Sequence, residues 1–225
     1  MNKRIIFRKN RFRIIIESMP FVKMLIEKGI LKTPSIIRAF ELVNRENFVL
    51  PEEKQFAKKN RALSIGFEQT ISQPLVVAFM LEQLKPKKGD KILDIGSGSG
   101  WTSALLGEIV RPNGKVIAIE LILELKKFGE ENIAKYGLIE EGIVKFVCGD
   151  GAKGYSEEAP FDKILCSASA EKKIPFAWKK QLKIGGKIVA PIGSSIWLFI
   201  KKSEEEFEEI EYPGYVFVPL IEENK

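Results

Sequence analysis

The sequence predicts an α/β fold: a doubly wound, mostly parallel sheet, with an N-terminal helical extension and a strand-rich C-terminal part. Two observations predict it. Between residues 91 and 192, short apolar runs of strand length alternate with segments of helical spacing. That is the pattern of β-α-β units whose parallel sheet is covered on both faces. In addition, Lys91-Ile92-Leu93-Asp94-Ile95 opens into Gly96-Ser97-Gly98-Ser99-Gly100, and Val116-Ile117-Ala118-Ile119 ends in Glu120. The second observation reads as a buried strand, a glycine turn, a helix, and a second strand tipped by a carboxylate.

The elements follow in order. Residues 14–49 carry two helical patterns, the second running from Ile36 to Val43 behind Thr33-Pro34, a helix start. Phe48-Val49-Leu50-Pro51 ends this section, and residues 52–72 read as polar and irregular. A helix is expected from Pro74 to Leu84, since proline is tolerated in a first turn. Lys85-Pro86-Lys87-Lys88-Gly89-Asp90 breaks it. Strand 91–95, helix 101–110, strand 115–119, helix 122–136 and strand 143–148 come next, and Gly149-Asp150-Gly151 turns the chain. Strand 161–167, a short helix over 175–182 and strand 187–192 complete the alternation. The stretches 195–202, 206–212 and 215–220 are expected to be antiparallel strands. With no repeat or low-complexity linker, residues 1–225 read as a single domain.

Composition narrows the function. The chain is 45% hydrophobic and 29% charged, ordinary for a soluble globular protein. No apolar run reaches the ~18 residues of a membrane span, and the N-terminus lacks the apolar core of a secretory signal. Cys148 and Cys166 sit in apolar strand-like runs and are expected to be buried free thiols, which suits a cytoplasmic location. The net charge of +6 is matched by six basic residues and no acid within residues 1–13; the rest of the chain holds 30 basic and 30 acidic residues. A basic arm of that kind is not the broad stripe of a nucleic-acid surface, so no nucleic-acid partner is expected. The run Glu204-Glu205-Glu206-Phe207-Glu208-Glu209 is expected at a solvated hairpin tip. There is no histidine. Ser-His-Asp and Cys-His nucleophile schemes and histidine metal sites are therefore excluded, and no metal site is expected.

The glycine turn separates two cofactor classes. A dinucleotide site needs G-x-G-x-x-G, but the third glycine position holds Trp101 in one register and Ser103 in the other. What stands instead is D-x-G-x-G-x-G, beginning at Asp94. Glu120, 20 residues beyond Gly100, is placed to accept both hydroxyls of a ribose. A strand-tip carboxylate at Asp94 suits a ligand whose other end is cationic, directly or through water. S-adenosyl-L-methionine, with its sulfonium and ammonium groups, satisfies both ends. The turn therefore favours a methyltransferase cofactor site over glycines that only make the turn. Transfer to an ionised oxygen needs no base, so the absence of histidine is compatible with it.

From about Asn44 to Leu220 the chain resembles the protein-L-isoaspartate O-methyltransferase family. Thr70-Ile71-Ser72-Gln73-Pro74 matches the family's Thr-Ile-Ser-x-Pro signature. Arg45-Glu46-Asn47-Phe48-Val49, Gly149-Asp150-Gly151, Ala159-Pro160-Phe161-Asp162, Gln181-Leu182-Lys183-x-Gly185-Gly186, Pro191-x-Gly193 and Phe217-Val218-Pro219-Leu220 fit in order. The resemblance implies methylation of the free α-carboxylate of isoaspartyl residues in damaged proteins, after which the ester cyclises to a succinimide. It implies a sheet of the Rossmann-like, S-adenosylmethionine-dependent methyltransferase type, with residues 1–72 as helical extension and substrate-side segment and residues 73–225 as the cofactor-binding core. It puts the family's reactive serine on Ser72, which would aim the acceptor carboxylate. Thr70 and Ile71 would line the pocket over the cofactor. Asp94, Gly96, Ser97 and Gly98 would meet the methionine part, Glu120 and Leu121 the ribose, and Asp150 with Gly151 the adenine edge.

Some readings stay open. Ser72 ahead of Pro74 also reads as a helix N-cap, and Asp150 beside glycine as a turn residue. Trp101, Trp178 and Trp197 read as packing or surface residues. The family's Ala-Tyr-x-Asp segment is replaced here by Ala57-Lys58-Lys59-Asn60, and the second glycine of Ile-Gly-x-Gly, after Ile65-Gly66, by Glu68. Lys58, Asn60, Ile65 and Gly66 are the expected acceptor-side residues. Lys58, Lys59 and Arg61 either hold an acidic acceptor such as the isoaspartyl carboxylate, or the segment serves another acceptor: a different protein carboxylate, a modified peptide, a small molecule, or RNA through the basic arm. A cofactor-binding module without catalysis is the non-enzymatic alternative.

Overall fold

The computed structural model describes residues 20–221; the basic arm lies outside them. Two hydrophobic layers organise the chain around a seven-stranded sheet of order β5-β4-β3-β6-β7-β8-β9. Strands β3 (Lys91–Ile95), β4 (Lys115–Glu120), β5 (Val144–Cys148), β6 (Phe161–Cys166) and β7 (Leu182–Ile192) are parallel. Strands β8 (Ser195–Lys201) and β9 (Phe207–Pro213) extend the sheet antiparallel. The period of two along β3 and β4 separates the layers. Ile92, Val116 and Ala118 face one core together with helices α1 (Pro20–Glu27), α2 (Pro34–Leu42), α3 (Pro74–Leu84), α4 (Trp101–Val110) and α5 (Leu123–Ala134). Leu93, Ile95, Ile117 and Ile119 face the other, with Trp178 of α6 (Phe176–Gln181). Both faces are covered, as a parallel sheet requires.

The chain leaves β3 for β4 and β5 on one side, then crosses to β6 on the other. This reversal opens a crevice at the carboxyl ends of β3, β4 and β6, where open α/β sheets hold their ligands. Apart from the start of β7, the strands and helices of the alternation fall within a residue or two of the sequence expectation; of the acidic run, residues 204–206 sit at the β8–β9 turn and residues 207–209 belong to β9.

Four expectations are corrected. Residues 63–71 are not irregular: β1 (Leu63–Gly66) and β2 (Gln69–Ile71) form an antiparallel hairpin. Residues 215–220 form no strand, only an isolated bridge from Pro219 to Ser169, because Pro219 can donate nothing to a ladder. β7 begins at Leu182, so Gly185-Gly186 lies inside it, alongside a register shift against β6. Cys166 is buried, but Cys148 is exposed; it shares the face of the buried Val144 and Phe146 but is the last residue of β5, at the open carboxyl end of the strand. Among the described residues, no helix is long and apolar enough to cross a membrane.

Candidate active site

The glycine turn is fastened to the tip of β4. The Gly96 and Ser97 amides donate to the Ile119 carbonyl at 3.0 and 3.1 Å, and the Gly98 amide donates to Glu120 Oε2 at 2.8 Å. The other carboxylate oxygen of Glu120 accepts from the Ile122 amide at 3.0 Å. Glu120 is 7% exposed, so its position is fixed while lone pairs remain for a ligand at the cleft. Gly98 has φ +51°, and a Cβ there would stand 3.0 Å from Ile65 Cδ1, the hairpin side chain that closes over it. A side chain at 98 would thus be strained in backbone and crowded in space.

Asp94 lies behind this wall, fully buried. Its Oδ2 accepts from Thr102 Oγ1 at 3.0 Å and Ser103 Oγ at 2.5 Å, both in the first turn of α4. Its Oδ1 has no hydrogen-bond partner among the described residues. Burial pushes the carboxyl up to about 6, against the two hydroxyl bonds that pull it down, and Glu120 adds to the rise. A buried carboxylate oxygen without a partner costs on the order of 1–3 kcal/mol, and a cation nearby would recover it. Asp150 accepts from the Ala152 amide at 2.9 Å and caps the short 3-10 turn Gly151–Lys153.

A cleft opens over these groups. Of the expected residues, Thr70, Ile71, Ser72, Gly96, Ser97, Gly98, Glu120, Leu121, Gly151 and Ile65 line it. Asp94 and Asp150 are set behind the lining, Asp94 joined to it through the hydroxyl of Thr102. A second cavity adjoins it and shares Thr70, Ser72, Ser167 and Val218. Lys58, Asn60 and Gly66 line neither. Lys58 pairs with Glu46 at 3.4 Å, and Asn60 Oδ1 accepts from the Leu75 amide at 2.9 Å.

Ser72 stands where the cavities meet. Helix α3 begins at Pro74 with Gln73 as its N-cap position, and no hydroxyl caps it. The Ser72 hydroxyl has no partner among the described residues, so the cap reading does not apply. Thr102, Ser167 and Ala168 also line the cleft and are not among the expected site residues; the segment from Val218 to Leu220, which carries part of the resemblance, lines it together with Ile221. Thr102 carried a faint signal: it falls eight residues after Asp94, on the helical turn facing the strand tip. Ser167 and Ala168 carried none beyond following β6.

A sheet of this topology with such a cleft at its carboxyl edge defines a Rossmann-like nucleotide-cofactor protein of the methyltransferase type. The chain belongs to the protein-L-isoaspartate(D-aspartate) O-methyltransferase family, whose profile matches residues 17–225. A protein-L-isoaspartate O-methyltransferase of Methanopyrus kandleri is 39% identical over 222 residues, covering 97% of this chain and 94% of that one. One from Staphylothermus marinus is 42% identical over 204 residues, covering 87% and 89%. A solved protein-L-isoaspartate O-methyltransferase superposes with a TM-score of 0.78 at 27% identity, over 88% of this chain and 64% of that one. A Plasmodium falciparum structure in complex with S-adenosyl-L-homocysteine gives a TM-score of 0.80 at 23% identity, covering 90% and 97%, a likeness of fold.

Proposed function

We propose that this chain, working as one methyltransferase domain, transfers the methyl group of S-adenosyl-L-methionine to the α-carboxylate of L-isoaspartyl residues in damaged proteins. The observation that carries the reading is the Ser72 hydroxyl, without a hydrogen-bond partner among the described residues and at the junction of both cavities. When bound, S-adenosyl-L-methionine supplies an electrophilic methyl group on a cationic sulfur. The unpaired Asp94 Oδ1 and the anchored Glu120 fit a ligand that is cationic at one end and carries a ribose diol at the other.

The chain's own residues then divide the work. Asp94, directly or through Thr102 or water, balances the cationic end. Gly96, Ser97 and Gly98 let the backbone approach it, Glu120 and Leu121 take the ribose, and Asp150 with Gly151 fix the far end. Thr70 and Ile71 of the hairpin cover the transfer point. Ser72, at the junction of the two cavities, would donate a hydrogen bond to one oxygen of the incoming carboxylate and leave the other free to receive the methyl group. The acceptor is already ionised, so positioning is the main catalytic device. Isoaspartyl proteins or peptides are the partner this reading requires, and a cytoplasmic setting suits it.

The test is transfer of labelled methyl to an isoaspartyl peptide and to its aspartyl twin. Base-labile label on the isoaspartyl form alone is expected. Ser72→Ala should lower transfer by about 10²-fold and leave S-adenosyl-L-homocysteine affinity unchanged. Cofactor binding without labelling of either peptide would sink the repair reading and favour another acceptor for the 57–68 segment.

A further inference from the structure

Ser72 lies in neither β2 nor α3, so no ladder or helix bond fixes it. Two side chains outside both cavities do that instead. Arg45 is 1% exposed and has no ion-pair partner among the described residues. Its guanidinium donates to five carbonyls: Ala57 at 3.1 Å, Lys59 at 3.4 Å, Arg61 at 2.9 Å, Ile71 at 3.4 Å and Ser72 at 3.1 Å. It also lies 5.2 Å over the ring of Trp101, which opens the helix behind the glycine turn. Asn60 sits between two of those carbonyls in sequence, and its side chain supplies the cap that α3 lacks at its own N-cap position.

The contacts form a closed bracket. Arg45 fixes the loop on either side of Asn60; Asn60 holds the start of α3 at Leu75; and Arg45 holds the carbonyl of Ser72, three residues earlier. We infer that Arg45 and Asn60 are positioning residues which set where Ser72 presents its hydroxyl, touching neither cofactor nor acceptor. The inference rests on the reading of Ser72 given above and assigns Asn60 a role other than acceptor contact. A planar fork with donors on several edges is what this geometry needs, and a lysine ammonium cannot reproduce it.

The test is a double-mutant cycle on transfer to the isoaspartyl peptide. Asn60 is exposed, so Asn60→Ala leaves the core intact. Asn60→Ala and Arg45→Lys should each lower kcat by about 10- to 100-fold with S-adenosyl-L-homocysteine affinity nearly unchanged. Asn60→Asp, which keeps an acceptor oxygen at the helix start, should restore the rate. In a Ser72→Ala background the same substitutions should cost little more, since the group they aim is gone. Additive losses in that background, a parallel loss of cofactor affinity, or an Asn60→Asp variant no better than alanine would each overturn the inference. Should Arg45→Lys fail to fold, the Asn60 pair decides. Should the wild type prove inactive on the peptide, that result bears on the proposed function. Amide exchange then decides the bracket: faster exchange at Ile71–Gln73 in Asn60→Ala, with β3 and β4 unchanged, supports it, and unchanged exchange at Ile71–Gln73 overturns it.

Discussion

At the scale of single residues, Asp94 carries the clearest electrostatic consequence. Its carboxyl titrates at about 6 in the fold, against about 3.9 in an unfolded chain. The folded state therefore holds the proton more tightly. The stability this contributes is complete below about pH 4 and is lost as pH rises through about 6, a span worth roughly 2–3 kcal/mol. Chemical denaturation of the cofactor-free protein between pH 4 and 7 should show that decline relative to Asp94→Asn, which has no proton to lose there. Cofactor affinity should move the opposite way, rising through the same window as the carboxylate ionises, and Asp94→Asn should abolish that rise. Equal pH profiles for the two proteins would mean that Asp94 stays charged throughout and that Thr102 and Ser103 outweigh its burial. The motif placed this carboxylate at the strand tip. It could not reveal that two hydroxyls of the next helix hold one oxygen and leave the other unpaired, because such a pairing depends on how α4 docks.

At the scale of elements, the parallel core was legible because burial on both faces writes long apolar runs and glycine stops into the sequence. The β1–β2 hairpin was not. Its strands have four and three residues, and its turn is Phe67-Glu68 where a two-residue hairpin favours Asn-Gly. Both turn residues adopt the left-handed conformation, with φ of 53° and 58°. That conformation costs a side-chain-bearing residue roughly 1–2 kcal/mol, partly offset in a glycine by its greater unfolded-state entropy. Glu68→Gly should therefore gain about 0.5–1 kcal/mol, a rise in Tm of about 1–4 °C by calorimetry. No rise would show that the strain at the tip is already released by fraying. The distinction matters for function, since Ile65 covers Gly98 and Ser72 follows the second strand. Strained turns persist where the surroundings over-determine them, and here the Arg45 bracket is that surrounding. Asn60 and Arg45 were equally illegible as a pair, because the 15 positions separating them carry no periodicity that would bring a guanidinium to five carbonyls.

At the scale of the whole molecule, the cleft joins parts of the chain that share no local contact in sequence. The hairpin covers it from one side, the tips of β3 and β4 form its floor, and the stretch from Val218 to Ile221 closes the far edge. Among the described residues, that last stretch is tied by Ser169, whose amide donates to the Val218 carbonyl and whose carbonyl accepts from the Leu220 amide, both at 2.8 Å, and by the packing of Leu220 against the Ile95 layer. Segments so lightly tied belong to the low-stability end of a fold, and a ligand touching all of them gains by ordering them together. S-adenosyl-L-homocysteine at 100 times its Kd should add about 2.7 kcal/mol, equivalent to about 5–10 °C in Tm for a chain of this size. If the cleft acts as one unit, amide exchange should slow at residues 63–72 and 218–221 along with the glycine turn, while the amino ends of the strands stay as they were. Protection confined to residues 96–100 and 120–122 would separate two events. The cofactor would then bind to the sheet alone, and hairpin and C-terminal stretch would close only when an acceptor enters the second cavity beside Ser72.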